Sequence, residues 1–119
     1  MVYRKTGRAS VIAAEELDVP QPGPGEVLVR MAVSGVNPTD WKSRAGDGSG
    51  TPPPAGWQVP NHDGAGLIVG VGNGVDSGLM HKRVWVWEAA HQRPWGTAAQ
   101  YTVVPAKQAS LLGPSAPYE

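Results

Sequence analysis

Residues 59–75 read Val-Pro-Asn-His-Asp-Gly-Ala-Gly-Leu-Ile-Val-Gly-Val-Gly-Asn-Gly-Val. Polar loop residues lead into three small ones, followed by an apolar run at 67–71 and a tight turn at 72–74. The pattern predicts a strand whose first residues have little or no side chain, so that another backbone or a ligand can approach closely. Asn61, His62 and Asp63 are then expected at the mouth of this strand, with their polar groups presented.

The remaining apolar runs predict further strands around this one. They are expected at residues 2–5, 10–19, 27–33, 82–87, 97–104 and 109–112. The run at 27–33 is mostly apolar at both odd and even positions, so both faces of the strand are apolar. This is typical of a strand buried on nearly both faces and favours an interior position in the sheet. The run at 82–87 alternates, which predicts Val84 and Val86 on one face and Trp85 and Trp87 on the other.

One helix start is convincing. Asn37 is a good N-cap, Pro38 suits the first helical position, and Asp40 falls in the first turn, where the helix dipole favours a negative charge. Gly46 can end the helix. The sequence therefore predicts a single helix of about two turns.

Length and charge limit the class of protein. The 119 residues predict one domain, 1–119, that can bury a core without disulfides or metal. Ten basic and ten acidic residues cancel, which argues against nucleic-acid binding. No apolar segment approaches the ~20 residues of a membrane span, and the N-terminus lacks the apolar core of a signal peptide.

Cysteine, glycine and proline usage narrow the class further. The chain has no cysteine, which excludes disulfides, thiolate zinc sites and a cysteine nucleophile, and fits a cytoplasmic protein. Sixteen glycines and twelve prolines between short Val-rich runs indicate many turns and few helices. The expected fold is mainly β, a small and partly open antiparallel barrel with one short helix.

Four motifs, in order along the chain, resemble the N-terminal half of the medium-chain dehydrogenases/reductases. They are Pro-Gly-Pro-Gly-Glu-Val-Leu-Val-Arg at 22–30, Gly-Val-Asn-Pro-Thr-Asp at 35–40, Asp-Gly-Ala-Gly-Leu-Ile-Val-Gly-Val-Gly at 63–72, and Gly-Thr-Ala-Ala-Gln-Tyr-Thr-Val-Val-Pro at 96–105. The resemblance covers nearly the whole chain. It implies the GroES-like barrel, in agreement with the strands and turns above.

Within that family, the Asn37-Pro38 pair resembles the zinc-free quinone oxidoreductase branch. The zinc alcohol dehydrogenases have a cysteine at that position and Gly-His-Glu in place of Asn61-His62-Asp63. The resemblance therefore implies no metal, because zinc needs three or four well-placed ligands. His62 is then expected to be a hydrogen-bonded loop residue.

The resemblance also implies chemistry. In the family, the reduced cofactor NADPH passes a hydride to a quinone or an enone in a cleft. This barrel is expected to form one wall of the cleft, to orient the cofactor and the substrate, and to exclude water. Asn37, Pro38 and Thr39 match the cofactor-facing side, and Asn37 is also a candidate catalytic residue. A neutral amide suits this place because it can donate and accept. The alternative is that Asn37 only caps its helix.

Three further residues are candidates. Lys42 stands where the branch often has a tyrosine, and it could supply positive charge to a developing oxygen anion, or be an exposed helix lysine. Trp57 and Asp63 are candidate substrate-binding residues. The alternative for Trp57 is simple packing, as for many loop aromatics.

No strand-Gly-x-Gly-x-x-Gly-helix unit is present, and the glycines at 70–74 are expected to form a hairpin turn. The Rossmann cofactor domain is thus expected outside this chain, which by itself should be catalytically inactive as a fragment or truncation. The resemblance implies a homodimer. Two alternatives remain: a free-standing co-chaperonin-like barrel for binding or assembly, with 47–56 as its mobile loop, or a zinc alcohol dehydrogenase domain with unusual ligands.

Overall fold

The computed structural model describes residues 1–113 and 116–118. Its strands are β1 (Glu26–Ser34), β2 (Gly64–Val71), β3 (Arg83–Val86), β4 (Tyr101–Pro105) and β5 (Ala109–Leu111), and its α-helix is α1 (Pro38–Ala45). Short 3-10 turns occur at Ala9–Val11, Ser77–Leu79 and Ala106–Gln108. The prediction of a mainly β fold with one short helix is confirmed. Within the described residues, no helix is long and apolar enough to cross a membrane.

The five strands form one antiparallel sheet in the order β4-β1-β2-β3-β5. β4 and β5 are its two edges, so the curled sheet is a partly open barrel, as predicted. β1 pairs on both sides, which confirms its interior position. Its register with β2 shifts between Leu28 and Val29 and again between Met31 and Val33. Such irregularities increase the bend and twist of a sheet.

The hydrophobic core lies on one face of this sheet. Its most buried members are Val27, Val29, Ile68, Val84, Val86, Ala89 and Val104. Each buried valine or isoleucine contributes roughly 1.5–3 kcal/mol relative to an exposed one. Trp85, between the two buried valines of β3, is 45% exposed, which confirms the alternation predicted for that strand.

The small residues at the start of β2 let β1 approach closely. A Cβ at Gly66 would lie 2.2 Å from the carbonyl oxygen of Arg30, and one at Gly64 would lie 2.4 Å from that of Val33. Side chains at these positions would force the strands apart. The approach predicted from the sequence is therefore made here by a neighbouring backbone.

The predicted strands at 2–5 and 10–19 are wrong. Only two isolated bridges occur there, between Val2 and Ala13 and between Tyr3 and Gln58. Val2 and Tyr3 are buried, but residues 13–19 are exposed. A local apolar pattern is insufficient without a partner strand, and the prolines at 20, 22 and 24 that follow cannot donate ladder hydrogen bonds.

β4 begins four residues later than predicted, at Tyr101 rather than Thr97. The backbone N–H of Thr97 donates to the carbonyl of Asn61 at 2.9 Å, and that of Ala98 donates to the carbonyl of Pro60 at 3.1 Å. These bonds hold residues 97–98 against the loop that precedes β2. The segment consequently belongs to the mouth of β2.

Candidate active site

Two predicted site residues meet at the mouth of β2. Asn37 directly precedes α1, and Asp63 directly precedes β2. Although they are 26 residues apart, Asn37 Nδ2 donates a hydrogen bond to Asp63 Oδ1 at 2.9 Å. The turn between β1 and α1 and the turn into β2 thus bring an amide and a carboxylate into contact.

The start of α1 follows the local rules read from the sequence. Asn37 is the N-cap, with extended backbone angles φ −126° and ψ 162°, and Pro38 opens the helix. The Asp40 carboxylate turns back, and its Oδ2 accepts from the Asn37 backbone N–H at 2.6 Å. Asp40 also places a negative charge at the positive end of the helix. Gly46 ends the helix at φ 61°, as predicted.

A directed chain of hydrogen bonds supports Asp63. Asn61 Nδ2 donates to Ser34 Oγ at 2.9 Å, Ser34 Oγ and Thr97 Oγ1 are 2.8 Å apart, and Thr97 Oγ1 donates to the Asp63 carbonyl at 2.7 Å. Because the single hydroxyl proton of Thr97 goes to that carbonyl, Ser34 must donate to Thr97. The chain ends on a carbonyl oxygen, so it fixes position and cannot pass a proton onward.

Sequence reasoning missed Ser34 and Thr97. Their hydroxyls are separated by 63 residues, and Thr97 is only 1% exposed. A threonine inside an apparent strand gives no signal of such a bond. The one available cue was the Gly-Thr pair at 96–97, which forms part of a motif used for the family resemblance.

A cavity of about 680 Å³ lies beside α1. Its lining comprises Tyr3 and Thr6, Asp40 and Ser43 of α1, the proline-rich stretch 51–55, residues 58 and 60–62, and the loop 90–94. Asn61 and His62 reach this cavity from the mouth of β2, whereas Asn37, Lys42, Trp57 and Asp63 are not among its lining residues. The cavity therefore adjoins the polar mouth through Asn61 and His62, but the predicted cofactor- and substrate-binding residues do not line it.

Two polar atoms in residues that line the cavity are buried without a hydrogen-bond partner among the described residues. They are Thr6 Oγ1 and Asp40 Oδ1. Asp40 is only 6% exposed. A buried polar atom without a partner costs roughly 1–3 kcal/mol. The cavity wall therefore carries a stability cost that the sequence did not indicate.

The electrostatics of the wall act on Tyr3. Burial raises the pKa of its phenol, the positive charge of Arg44 opposes that rise, and the negative charge of Asp40 adds to it. Arg44 itself is fixed, because its Nη1 donates to the Gly7 carbonyl at 2.8 Å. Arg44 thus joins α1 to the turn at Gly7.

The other candidates lie around this centre. Pro38 and Thr39 are exposed on the first turn of α1. Lys42 is exposed as well, and its Nζ lies 5.7 Å from the centroid of the Trp41 ring. Trp57 packs edge-on against Trp95, with ring centroids 5.3 Å apart. Trp57 thereby fixes the end of the proline-rich stretch to the loop before Thr97.

The donor set does not fit a zinc site. In the part of the chain that the structure describes, no three His, Asp or Glu side chains come together as a group that could hold a metal ion. Zinc sites in proteins use three or four such ligands. Among residues 1–113 and 116–118, His62 therefore has no companion ligands of that kind.

Comparison with known proteins assigns the family. The sequence model of the alcohol dehydrogenase GroES-like domain matches residues 23–114. An alcohol dehydrogenase of Moraxella sp. (strain TAE123) is 42% identical over 78 residues, which cover 63% of this chain and 22% of that protein. The chloroplastic NADPH-dependent alkenal/one oxidoreductase of Arabidopsis thaliana is 33% identical over 115 residues, covering 92% of this chain and 30% of that protein.

A solved structure from Bacillus thuringiensis, named as a candidate NADPH:quinone reductase, has the same fold. It superimposes with a TM-score of 0.82 at 25% identity, covering 98% of this chain and 34% of that one. The chain thus spans between 22% and 34% of the lengths of these three proteins, all of which are named as oxidoreductases. The chain belongs to the alcohol dehydrogenase GroES-like domain family, the N-terminal domain of the medium-chain dehydrogenases/reductases.

Proposed function

We propose that this chain is the substrate-side domain of an NADPH-dependent reductase that transfers a hydride to a quinone or an enone. The observation that carries the proposal is the mouth of β2. There a neutral amide, Asn37, is held by Asp63 Oδ1 at 2.9 Å, and the described residues contain no group of side chains that could hold a metal ion. The names of the Arabidopsis and Bacillus relatives support the same class of reaction.

Asn37, Pro38 and Thr39 form the surface proposed to face the cofactor. When bound, the reduced nicotinamide supplies the hydride. Pro38 and Thr39 are exposed on the first turn of α1, so a ligand can reach them. Asn37 orients that ligand with a neutral polar group, which adds no charge beside the reacting carbon. Orientation of this kind lowers the barrier because less motion remains to be lost on the way to the transition state.

The cavity beside α1 is proposed to bind one portion of the substrate. Its volume of about 680 Å³ falls in the range of small-molecule pockets, and the prolines at 52–54 give it a rigid apolar wall. Such a wall excludes water from the reacting groups. Trp57 supports this wall through its packing against Trp95. Asp63 is proposed to act on the substrate from the mouth of β2.

Lys42 is proposed to stabilise negative charge on the substrate oxygen. Its ammonium lies over the Trp41 ring, at 5.7 Å from the centroid, so it would have to swing away from Trp41 to reach the cleft. Once there, a positive charge near a developing oxygen anion is worth more in a dry cleft than in water. The variant Lys42→Met is expected to lower kcat with little change in KM.

The proposal is tested on the natural gene product at its full length. NADPH oxidation is followed by absorbance with 1,4-benzoquinone or cyclohex-2-enone as acceptor, and residues 1–119 alone are assayed in parallel. We expect turnover by the complete protein, which we propose to be a homodimer, and none by residues 1–119. Asn37→Ala should lower kcat/KM by about a hundredfold. Asn73→Ala is the matched control, because Asn73 lies in the exposed turn after β2.

Three outcomes would overturn the proposal. Alcohol oxidation that depends on added zinc would favour a zinc dehydrogenase with unusual ligands. A ring-shaped oligomer without redox activity would favour the co-chaperonin-like alternative. Equal kcat/KM for the Asn37 and Asn73 variants would remove Asn37 from the chemistry.

A further inference from the structure

The side chain of Asn37 can be oriented in two ways, and its neighbours select one. Its amide has an oxygen that only accepts hydrogen bonds and a nitrogen that only donates them. Asp63 Oδ1, as a carboxylate oxygen, accepts, so the atom that faces it must be Nδ2, at 2.9 Å. The chemistry of the partner therefore determines the orientation.

The amide oxygen of Asn37 is turned the other way. The Asn37 side chain and Asp40 form a capping box at the start of α1, in which the oxygen side of the amide faces the helix. The Asp40 N–H donates to the backbone carbonyl of Asn37 at 2.9 Å. With one N–H held by Asp63 and the oxygen turned to the helix, the second N–H of Asn37 is left to meet a ligand.

Gly35 makes room for this arrangement. Its backbone N–H donates to the Asp63 carbonyl at 2.9 Å, which brings the two residues together. A Cβ at Gly35 would lie 2.3 Å from Asp63 Oδ1, the atom that holds Asn37. An added methyl group would have to displace the carboxylate. The Asn37–Asp63 bond thus depends on the absence of a side chain at residue 35.

We infer that Asp63 is a positioning residue which, with Gly35, fixes the Asn37 amide as a hydrogen-bond donor toward a ligand at the mouth of β2. The ligand atom it meets is an acceptor, such as a carbonyl oxygen of the substrate or of the cofactor's carboxamide. The consequence for catalysis rests on the proposed function, whereas the orientation itself does not. The hydroxyl chain through Ser34 and Thr97 holds the Asp63 backbone in place for this purpose.

The test measures hydrogen exchange of the side-chain amide protons of Asn37 in the purified chain by ¹H–¹⁵N NMR. In the wild type, one Asn37 proton should exchange about tenfold more slowly than those of the exposed Asn73, because one bond to a carboxylate protects it. Gly35→Ala should abolish that protection by displacing the carboxylate, and Asp63→Ala by removing it. Gly113→Ala is the control, since a Cβ at Gly113 meets nothing within 4 Å.

The conservative variant separates positioning from simple loss of structure. Asp63→Asn keeps an acceptor oxygen and should restore most of the protection that Asp63→Ala loses. If Gly35→Ala does not fold, the two Asp63 variants still decide the matter. Unchanged Asn37 exchange in Asp63→Ala, or equal loss in Asp63→Asn and Asp63→Ala, would overturn the inference.

The outcome is independent of the reductase proposal, because no cofactor or substrate is used. Protection that depends on Asp63, together with undiminished activity of Asn37→Ala in the complete protein, would leave the orientation standing and remove its catalytic role. In the complete protein, Asp63→Asn should retain a higher kcat than Asp63→Ala at similar KM. The reverse order would contradict a positioning role.

Discussion

At the mouth of β2 the polar side chains bond one another, whereas in the wall of the neighbouring cavity Thr6 Oγ1 and Asp40 Oδ1 have no partner among the described residues. Both regions adjoin the first turns of α1, the mouth through the N-cap Asn37 and the cavity through Asp40 and Ser43. On the side of the mouth, folding joins Asn37 to Asp63 and Ser34 to Thr97 by hydrogen bonds. On the side of the cavity, folding leaves buried polar atoms unsatisfied at a cost of roughly 1–3 kcal/mol each.

The mouth is thus a preorganised surface, whereas the cavity wall lowers the stability of the fold. Proteins break local rules mainly at functional sites, where the cost is offset elsewhere in the fold. The mouth is suited to orienting a ligand, because its groups do not need to move. The cavity is suited to receiving one, because its wall gains from new contacts. Three predictions test this contrast, beginning with the largest expected effect.

The tight packing of the mouth should make it intolerant of a single methyl group. A Cβ at Gly96 would lie 2.2 Å, 2.3 Å and 2.5 Å from the carbonyl oxygens of Pro60, Val59 and Asn61. These are backbone atoms, so they cannot rotate away. Gly96→Ala should therefore lower the free energy of unfolding by about 3 kcal/mol, measured by urea denaturation.

Gly113→Ala is the control for this prediction as well, because the added Cβ has open space. It should leave the urea midpoint unchanged within about 0.5 kcal/mol. A Gly96→Ala variant as stable as this control would mean that the mouth can relax, and the contrast with the cavity would be lost.

A pair of identical substitutions compares the two regions directly. Thr97→Val removes the hydroxyl that bonds Ser34 and the Asp63 carbonyl, and should destabilise the chain by about 2 kcal/mol. Thr6→Val removes a buried hydroxyl without a partner, and should be neutral or stabilising by up to about 1 kcal/mol. Both are measured by thermal and urea unfolding.

The test is whether the two substitutions change the free energy of unfolding in opposite directions. If Thr6→Val costs as much as Thr97→Val, the Thr6 hydroxyl has a partner in solution, and the cavity wall is as well satisfied as the mouth. If neither variant changes stability, the hydroxyl chain at the mouth contributes little. Either result would break the comparison.

The elements that follow local rules could be read from the sequence. The N-cap at Asn37, the proline at the first helical position and the glycine at the end set the limits of α1, because each acts through its own backbone. The alternation in β3 likewise reports one buried face. Contacts between distant segments could not be read. The Ser34–Thr97 bond joins residues 63 apart, and no local pattern encodes it.

The same reason explains why the strands predicted within residues 2–19, the N-terminal arm, are wrong. The sequence predicts Val2 and Tyr3 in a strand, and both are buried, but each pairs through a single isolated bridge. A strand requires a partner strand along its length, and the sequence of these residues does not indicate which segment would pair with them. The cavity escaped prediction as well, since its lining comes from five separate parts of the chain.

The smallest expected effect concerns the ionisation of Tyr3 in the cavity wall. Burial raises the pKa of this phenol above its ordinary value of about 10, with the opposing effect of Arg44 and the added effect of Asp40. The folded chain thus holds the phenolic proton more tightly than the unfolded chain does. Its contribution to stability is complete below about pH 10 and is lost as the pH rises through the folded-state pKa.

Tyr3→Phe removes this ionisation, so the free energy of unfolding of the variant should fall less steeply between about pH 9 and pH 11 than that of the wild type. Urea denaturation at several pH values in that range gives both slopes, and Tyr101→Phe controls for the loss of a hydroxyl at the start of β4. Parallel slopes for wild type and Tyr3→Phe would show that the phenol is as well solvated in the folded chain as in the unfolded one. The cavity wall would then be open to water, and the cost assigned to its unsatisfied groups would disappear.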